Sequence, residues 1–166
     1  MVLDPKIDTR GTFVKTYSEE HLTGLIGSNS WKEEYISVSK KDSLRGMHFQ
    51  VPPYELEKMV FCVSGSILDV ILDLRKSSPT YNKHCSIRVD SNQPAIIYIP
   101  KGCAHGFLAL EDNTTLFYKV TQPYSKDHDR GILWNSFGFN WQVKNPTISV
   151  RDTNFPKLKD FKSPFI

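Results

Sequence analysis

A chain of 166 residues, 39% hydrophobic and 23% charged, has the bulk of one globular domain (residues 1–166), which excludes a disordered or membrane class. Its net charge is +3 and its 21 basic residues are dispersed, with no basic stripe interleaved with aromatics, so no nucleic-acid partner is expected. Cys62, Cys85 and Cys103 are odd in number and form no CxxC pair, and the N-terminus has no apolar signal core; both point to a reducing, cytoplasmic location with no membrane partner.

In chain order, residues 18–26 read as a helix, with Ser18 as N-cap, Glu19 and Glu20 in its first turn and Gly27 as its stop. Next comes Ser43-Leu44-Arg45-Gly46-Met47-His48-Phe49-Gln50, a strand-like segment with a cation and an imidazole three residues apart around a glycine. Residues 61–74 read as two strands joined at Ser64-Gly65-Ser66. In the second of these, Leu68, Val70, Leu72 and Leu74 share one face, while Ile67, Asp69, Ile71 and Asp73 share the other. Isoleucine mixed with aspartate does not suit solvent and points to a lined cavity. Residues 95–99 and 115–120 are further strands, bounded by Pro94, Pro100, Asn113 and Pro123. Between them lies a second histidine-bearing turn, Pro100-Lys101-Gly102-Cys103-Ala104-His105-Gly106-Phe107. The tail, 154–166, is expected to wrap the surface. Many short strands with Gly/Pro turns and almost no helix imply an all-β fold, a jelly-roll barrel of the cupin kind.

Barrels of this kind often hold a metal through a His-x-His pair, because strand residues two apart point the same way. Here Gln50 stands two after His48, so the pair is broken; His105 and Glu57 do not replace it, and no metal is expected. A proton-transfer set fits better. His48 offers a base, Arg45 and Lys58 fixed cations, Tyr118 a weak acid, and Asp69 and Asp152 carboxylates able to orient a histidine. That is equipment for removing a proton beside a carbonyl. Each residue taken singly also has a bland reading: a hydrogen-bonded structural histidine, a core tyrosine, snorkelling surface cations. Strict alternation also places Arg45 on the face opposite His48 unless Gly46 marks a bulge.

The motifs resemble a known family. Asp8-Thr9-Arg10-Gly11-Thr12-Phe13, Ser37-Val38-Ser39, Leu44-Arg45-Gly46-Met47-His48-Phe49-Gln50 and Lys58 are similar to those of the dTDP-4-dehydrorhamnose 3,5-epimerases. So are Val63-Ser64-Gly65-Ser66, Asp73-Leu74-Arg75, Ser78-Pro79-Thr80, the Pro100 to Phe107 segment and Ser149-Val150-Arg151-Asp152, in order over nearly the whole chain. The resemblance implies a cupin jelly roll, no metal and no cofactor, a homodimer exchanging N-terminal strands, and a nucleoside-diphosphate-4-keto-6-deoxyhexose substrate in deoxysugar and surface-polysaccharide (lipopolysaccharide) biosynthesis. In that family a proton next to the ketone is removed and the enolate is reprotonated from the other face. Carried over by position, His48 is the base, Asp152 its orienting partner, Tyr118 the opposed acid and Lys58 the support of the enolate oxygen. Arg45 binds the diphosphate or shares that support. His105 and Asp69 line the sugar or stand behind the residues that do, Gln50 binds substrate, and Arg10 and Phe13 reach into the partner subunit's site to hold the nucleotide. Lys15, Glu33 and Tyr35 stand where the family commonly has glutamate, glutamine and asparagine near base or sugar, so nucleotide choice is referred to these positions. A 3-epimerase acting at one carbon, a sugar 3,4-ketoisomerase and a non-catalytic sugar-nucleotide-binding cupin remain as alternatives; the ketoisomerase pattern Arg-Gly-x-His-Ala-His differs from His48-Phe49-Gln50.

Overall fold

A computed structural model describes residues 1–18 and 30–166. Beyond Ser18, the expected helix over residues 18–26 lies outside the described residues. The strands are β1 (Lys6–Asp8), β2 (Gly11–Phe13), β3 (Glu33–Ser39), β4 (Leu44–Gln50), β5 (Lys58–Ser64), β6 (Ser66–Asp73), β7 (His84–Asp90), β8 (Ile96–Ile99), β9 (Cys103–Ala109), β10 (Thr114–Val120) and β11 (Asp129–Gly131). A single-turn helix α1 (Val150–Thr153) and a 3-10 turn η1 (Leu158–Asp160) follow. Two antiparallel sheets, ordered β3-β10-β5-β8 and β11-β4-β9-β6-β7, form the jelly roll. The β1–β2 hairpin pairs with neither. No helix among the described residues is long and apolar enough to cross a membrane.

The strands expected over 61–74 are β5 and β6, turned at Gly65, whose φ of +78° is open to glycine. An added Cβ there would lie 2.5 Å from Thr114 Oγ1. Both faces of β6 are covered, which explains its near-continuous burial. Its Ile67 side meets Val60, Ile97, Phe107 and Leu116 between the sheets. Its Val70, Leu72 and Leu74 side packs with Trp141, Ile132 and Phe165 in a second core. The tail is therefore a cover rather than a surface wrap: Phe165 is buried, Ser163 Oγ donates to Leu74 O, and Phe161 and Phe165 pack edge-on against Phe49. Each such buried apolar side chain contributes about 1.5–3 kcal/mol.

Asp73 does not face the site. It knots the 74–83 loop by accepting from Arg75 N and Nε (both 2.9 Å), Ser78 Oγ (2.6 Å) and Thr80 Oγ1 (2.7 Å). Burial pushes its carboxyl up, but these donors outweigh burial and hold it well below the usual carboxylate range.

The register settles how Arg45 reaches the site. Arg45 pairs with Phe107 and His48 with His105, so three steps along β4 oppose two along β9. The extra residue is a bulge at Gly46 and Met47. Since Phe107 and His105 share the inner face, Arg45 and His48 do too. Gly46 has φ +147°, and a Cβ there would fall 2.5 Å from Gly106 Cα, so only glycine lets the two strands approach.

Candidate active site

At one end of the barrel, between the sheets, lies a cavity of about 270 Å³ walled by Tyr35, His48, Gln50, Lys58, Tyr124 and Asp129, with Glu33 also at its wall. His48 also lines an adjoining hollow of about 480 Å³ with Arg45, Ser149, Arg151 and Asp152. The base expected from sequence thus stands where the two meet.

His48 Nε2 lies 2.9 Å from Asp152 Oδ1. Asp152 is placed by α1, where Ser149 Oγ caps the turn by accepting from Asp152 N (3.1 Å), and its Oδ2 accepts from Gly46 N (3.2 Å). Burial raises the Asp152 carboxyl, but the hydrogen bonds and charge of its neighbours prevail and leave it at about 2. Burial pulls the His48 imidazole below its ordinary 6.5; Asp152 opposes this, while Arg151 and Lys58 reinforce it. The His48 ring is therefore neutral at pH 7. Burial also draws the Lys58 ammonium down to about 8, against the pull of Asp69 and Asp129.

Tyr118 is buried, its ring stacked on Tyr35 at 4.6 Å and its hydroxyl 3.3 Å from Ser37 Oγ. Tyr35 is the ring that lines the cavity. Burial pushes both phenols up, Tyr35 to about 12 and Tyr118 further, so both stay protonated at neutral pH. Deeper in, His105 Nε2 lies 2.6 Å from Asp69 Oδ2, and both side chains are buried. Asp69 Oδ1 has no hydrogen-bond partner among the described residues. Arg45 spans the sheets, donating from Nε to Ser39 Oγ (3.1 Å) and from Nη2 to Val38 O (3.3 Å).

Other expected residues sit differently. Gln50 lines the cavity, but its amide pins loops: Nε2 donates to Tyr54 O (2.9 Å) and Pro123 O (3.2 Å), and Oε1 accepts from Ser125 N (2.6 Å). Glu33 Oε2 is held by Tyr124 N (2.9 Å). Arg10, Phe13 and Lys15 line neither hollow at His48. Arg10 is exposed and paired with Asp8, Nη2 to Oδ2 at 2.6 Å, within its own hairpin. Phe13 and Lys15 border a separate hollow formed by the N-terminal segment. Glu57 offers its backbone N to Thr121 Oγ1, and no group of three His, Cys, Asp or Glu able to hold a metal converges among the described residues.

Sequence reasoning assigned no role to Arg151 or Asp129. Arg151 donates to His48 Nε2 (2.8 Å), Asp152 Oδ1 (3.2 Å) and Asp129 Oδ2 (2.5 Å). Its signal was its place beside Asp152; Asp129 had none, because β11 is three residues long and reaches the site only through its pairing with β4.

The family model described as dTDP-4-dehydrorhamnose 3,5-epimerase matches residues 1–160. A dTDP-4-dehydrorhamnose 3,5-epimerase of Shigella flexneri is 37% identical over 165 residues, covering 96% of this chain and 91% of its own. The crystal structure of the enzyme of that name from Bacillus anthracis str. Ames, with TDP and PPi bound, is similar at TM-score 0.90 and 36% identity, covering 95% of this chain and 93% of the other. A 3'-monoepimerase, ChmJ of Streptomyces bikiniensis, in complex with dTDP-quinovose, is similar at TM-score 0.90 and 27% identity, covering 96% and 82%. The jelly roll, the cavity at its end and these likenesses agree: this chain belongs to the dTDP-4-dehydrorhamnose 3,5-epimerase family, isomerases of deoxysugar biosynthesis.

Proposed function

We propose that this chain inverts C3, and C5 where the substrate allows, of a nucleoside-diphosphate-4-keto-6-deoxyhexose. The observation that carries the reading is His48, held 2.9 Å from the Asp152 carboxyl and opening with Lys58 onto one cavity. His48 takes the proton from the carbon beside the C4 ketone, and the electron pair of that C–H bond moves onto the ketone oxygen as an enolate. The Lys58 ammonium steadies that oxygen. Tyr118, kept protonated and held by Ser37, returns a proton from the opposite face, which inverts the centre. A sugar hydroxyl donating to Asp69 Oδ1 would supply the hydrogen bond that this buried oxygen lacks. Arg45 serves the diphosphate from the adjoining hollow. TDP and dTDP-quinovose in similar structures support thymidine as the nucleotide to test first, with Glu33 and Tyr35 at the cavity wall as its selectors.

The active form in this reading is a homodimer of single-domain chains that exchange N-terminal strands. Its support is the unpaired β1–β2 hairpin, with Ile7 and Phe13 exposed, and the edge strand β3, with Ile36 and Val38 exposed. Three free thiols fit a cytoplasmic location, and a surface-polysaccharide precursor is the expected product class.

Incubation in D2O with dTDP-, GDP-, UDP- and CDP-4-keto-6-deoxyhexoses tests the chemistry. Deuterium at C3 alone identifies a mono-epimerase, at both carbons a 3,5-epimerase, and at neither with any substrate would overturn the reading. His48→Ala abolishes exchange at every carbon, whereas Tyr118→Phe slows inversion and leaves same-face exchange. Equal residual exchange in the two variants would contradict the assigned roles.

A further inference from the structure

His48 Nε2 is approached by two groups with opposite demands. Asp152 Oδ1 lies 2.9 Å away and only accepts, so it is satisfied when Nε2 carries a hydrogen. Arg151 Nη2 lies 2.8 Å away and only donates, so it is satisfied when Nε2 presents a lone pair. One nitrogen cannot meet both.

The arginine is built into this place. Nη1 donates to Asp129 Oδ2 (2.5 Å) and Nε to Asp152 Oδ1 (3.2 Å). Its guanidinium lies 5.5 Å from the Phe155 ring centre, and that ring meets His48 edge-on at 5.7 Å. The Arg151 side chain is 51% exposed and that of Asp152 4%, so the arginine is the partner free to swing away.

We propose that Arg151 is a positioning residue that selects the tautomer of His48. Bonded to Nε2, it holds the neutral ring with its hydrogen on Nδ1 and with no lone pair left for a carbon-bound proton. Withdrawn, it lets Asp152 claim a hydrogen on Nε2, and Nδ1 becomes the base. The ring stays neutral throughout: Nδ1 gives its hydrogen to solvent as Nε2 gains one. The charged or titratable groups around the ring are Arg151 and Asp152 on α1, Asp129 on β11, Lys58 on β5, and His105 opposite on β9. Arg151 and Lys58 disfavour the imidazolium, which makes loss of Arg151 visible in titration as well as in tautomer.

The inference rests on His48 as the base, and its test does not need turnover. In the full-length protein labelled with 15N-histidine, with His48→Gln used to assign the resonances, the unliganded wild type above pH ~8, where an ordinary histidine is neutral, is expected to show an unprotonated Nε2 and a protonated Nδ1. Arg151→Met is expected to reverse the two, and to raise the His48 titration midpoint and the acid limb of kcat/KM by about half a pH unit or more. Arg151→Lys, which keeps the charge but cannot span three acceptors, should fall between them. A merely structural arginine would leave the tautomer unchanged. A wild type already protonated at Nε2, or variants with its tautomer and titration, would overturn the proposal. Should Arg151→Met fail to fold, the wild-type spectrum and Arg151→Lys still decide. Failure of the epimerase reading looks different: no exchange with any substrate while the tautomer still reverses.

Discussion

Lys58 is a buried cation whose cost to stability can be set against the catalytic role proposed for it. It is 8% exposed, and burial draws its ammonium from 10.5 to about 8. Between those values the unfolded chain holds a proton that the native lysine has released, so stability rises with pH across that window. At pH 7 both states are protonated and the full cost, roughly 3 kcal/mol, is felt. Lys58→Met is therefore expected to abolish epimerisation while raising stability at pH 7 by about 1–2 kcal/mol, or a few degrees in Tm. A lower Tm would refute the argument. In the proposed reaction the same lysine must be charged to steady the enolate, and His48 must be neutral to take the first proton. The kcat/KM profile is expected to be a bell, with its acid limb below 6.5 and its basic limb near 8. Lys58→Arg should remove the basic limb while leaving the acid limb in place.

The bulge in β4 decides whether these groups meet. Without the extra residue, Arg45 and His48 would point to opposite faces of the sheet. The bulge depends on Gly46 lying against Gly106: a Cβ on either would come within about 3 Å of the other's Cα. Gly46→Ala is expected to cost roughly 2–4 kcal/mol, read as a lower urea midpoint, and to remove activity by shifting the register between Arg45 and His48. Gly138 is the control. Its φ is +81° but nothing lies within 4 Å of an added Cβ, so Gly138→Ala should cost only about 1 kcal/mol. Equal losses in the two variants would mean that backbone conformation, not the approach of the strands, is what Gly46 supplies. The sequence shows the parity conflict at Gly46 and offers a bulge there as its resolution; only the register with β9 decides it, because a bulge is defined by the partner strand, which lies far along the chain.

For the whole molecule the issue is where Arg10 and Phe13 act. Neither lines a hollow with His48 in its own chain, so the proposed dimer requires them in trans. Subunit complementation tests this. Arg10→Ala and His48→Ala chains, each nearly inactive alone, are co-refolded into mixed dimers. If the arms are exchanged, each mixed dimer regains one site with both residues intact, and activity recovers toward half that of the wild type per mixed dimer. No recovery in dimers confirmed by mass would place the arm in cis and sink the exchange.

What could be read from the residues alone was local or periodic. Strand-forming runs bounded by turn residues marked β5, β6, β8 and β10, two-residue alternation marked the two faces of β6, and ordered motifs carried the family. Other features needed coordinates because they belong to pairs of distant segments. The tail covering β6, the Asp73 knot, the Gln50 amide tied to two loops, and Arg151 linking His48 to Asp129 each join residues that alternation cannot relate. Periodicity fixes which way a side chain points within its own strand. Only the packing of one sheet on another decides what it meets there, and it is that meeting, through burial and neighbouring charge, that holds the His48 imidazole below its ordinary value.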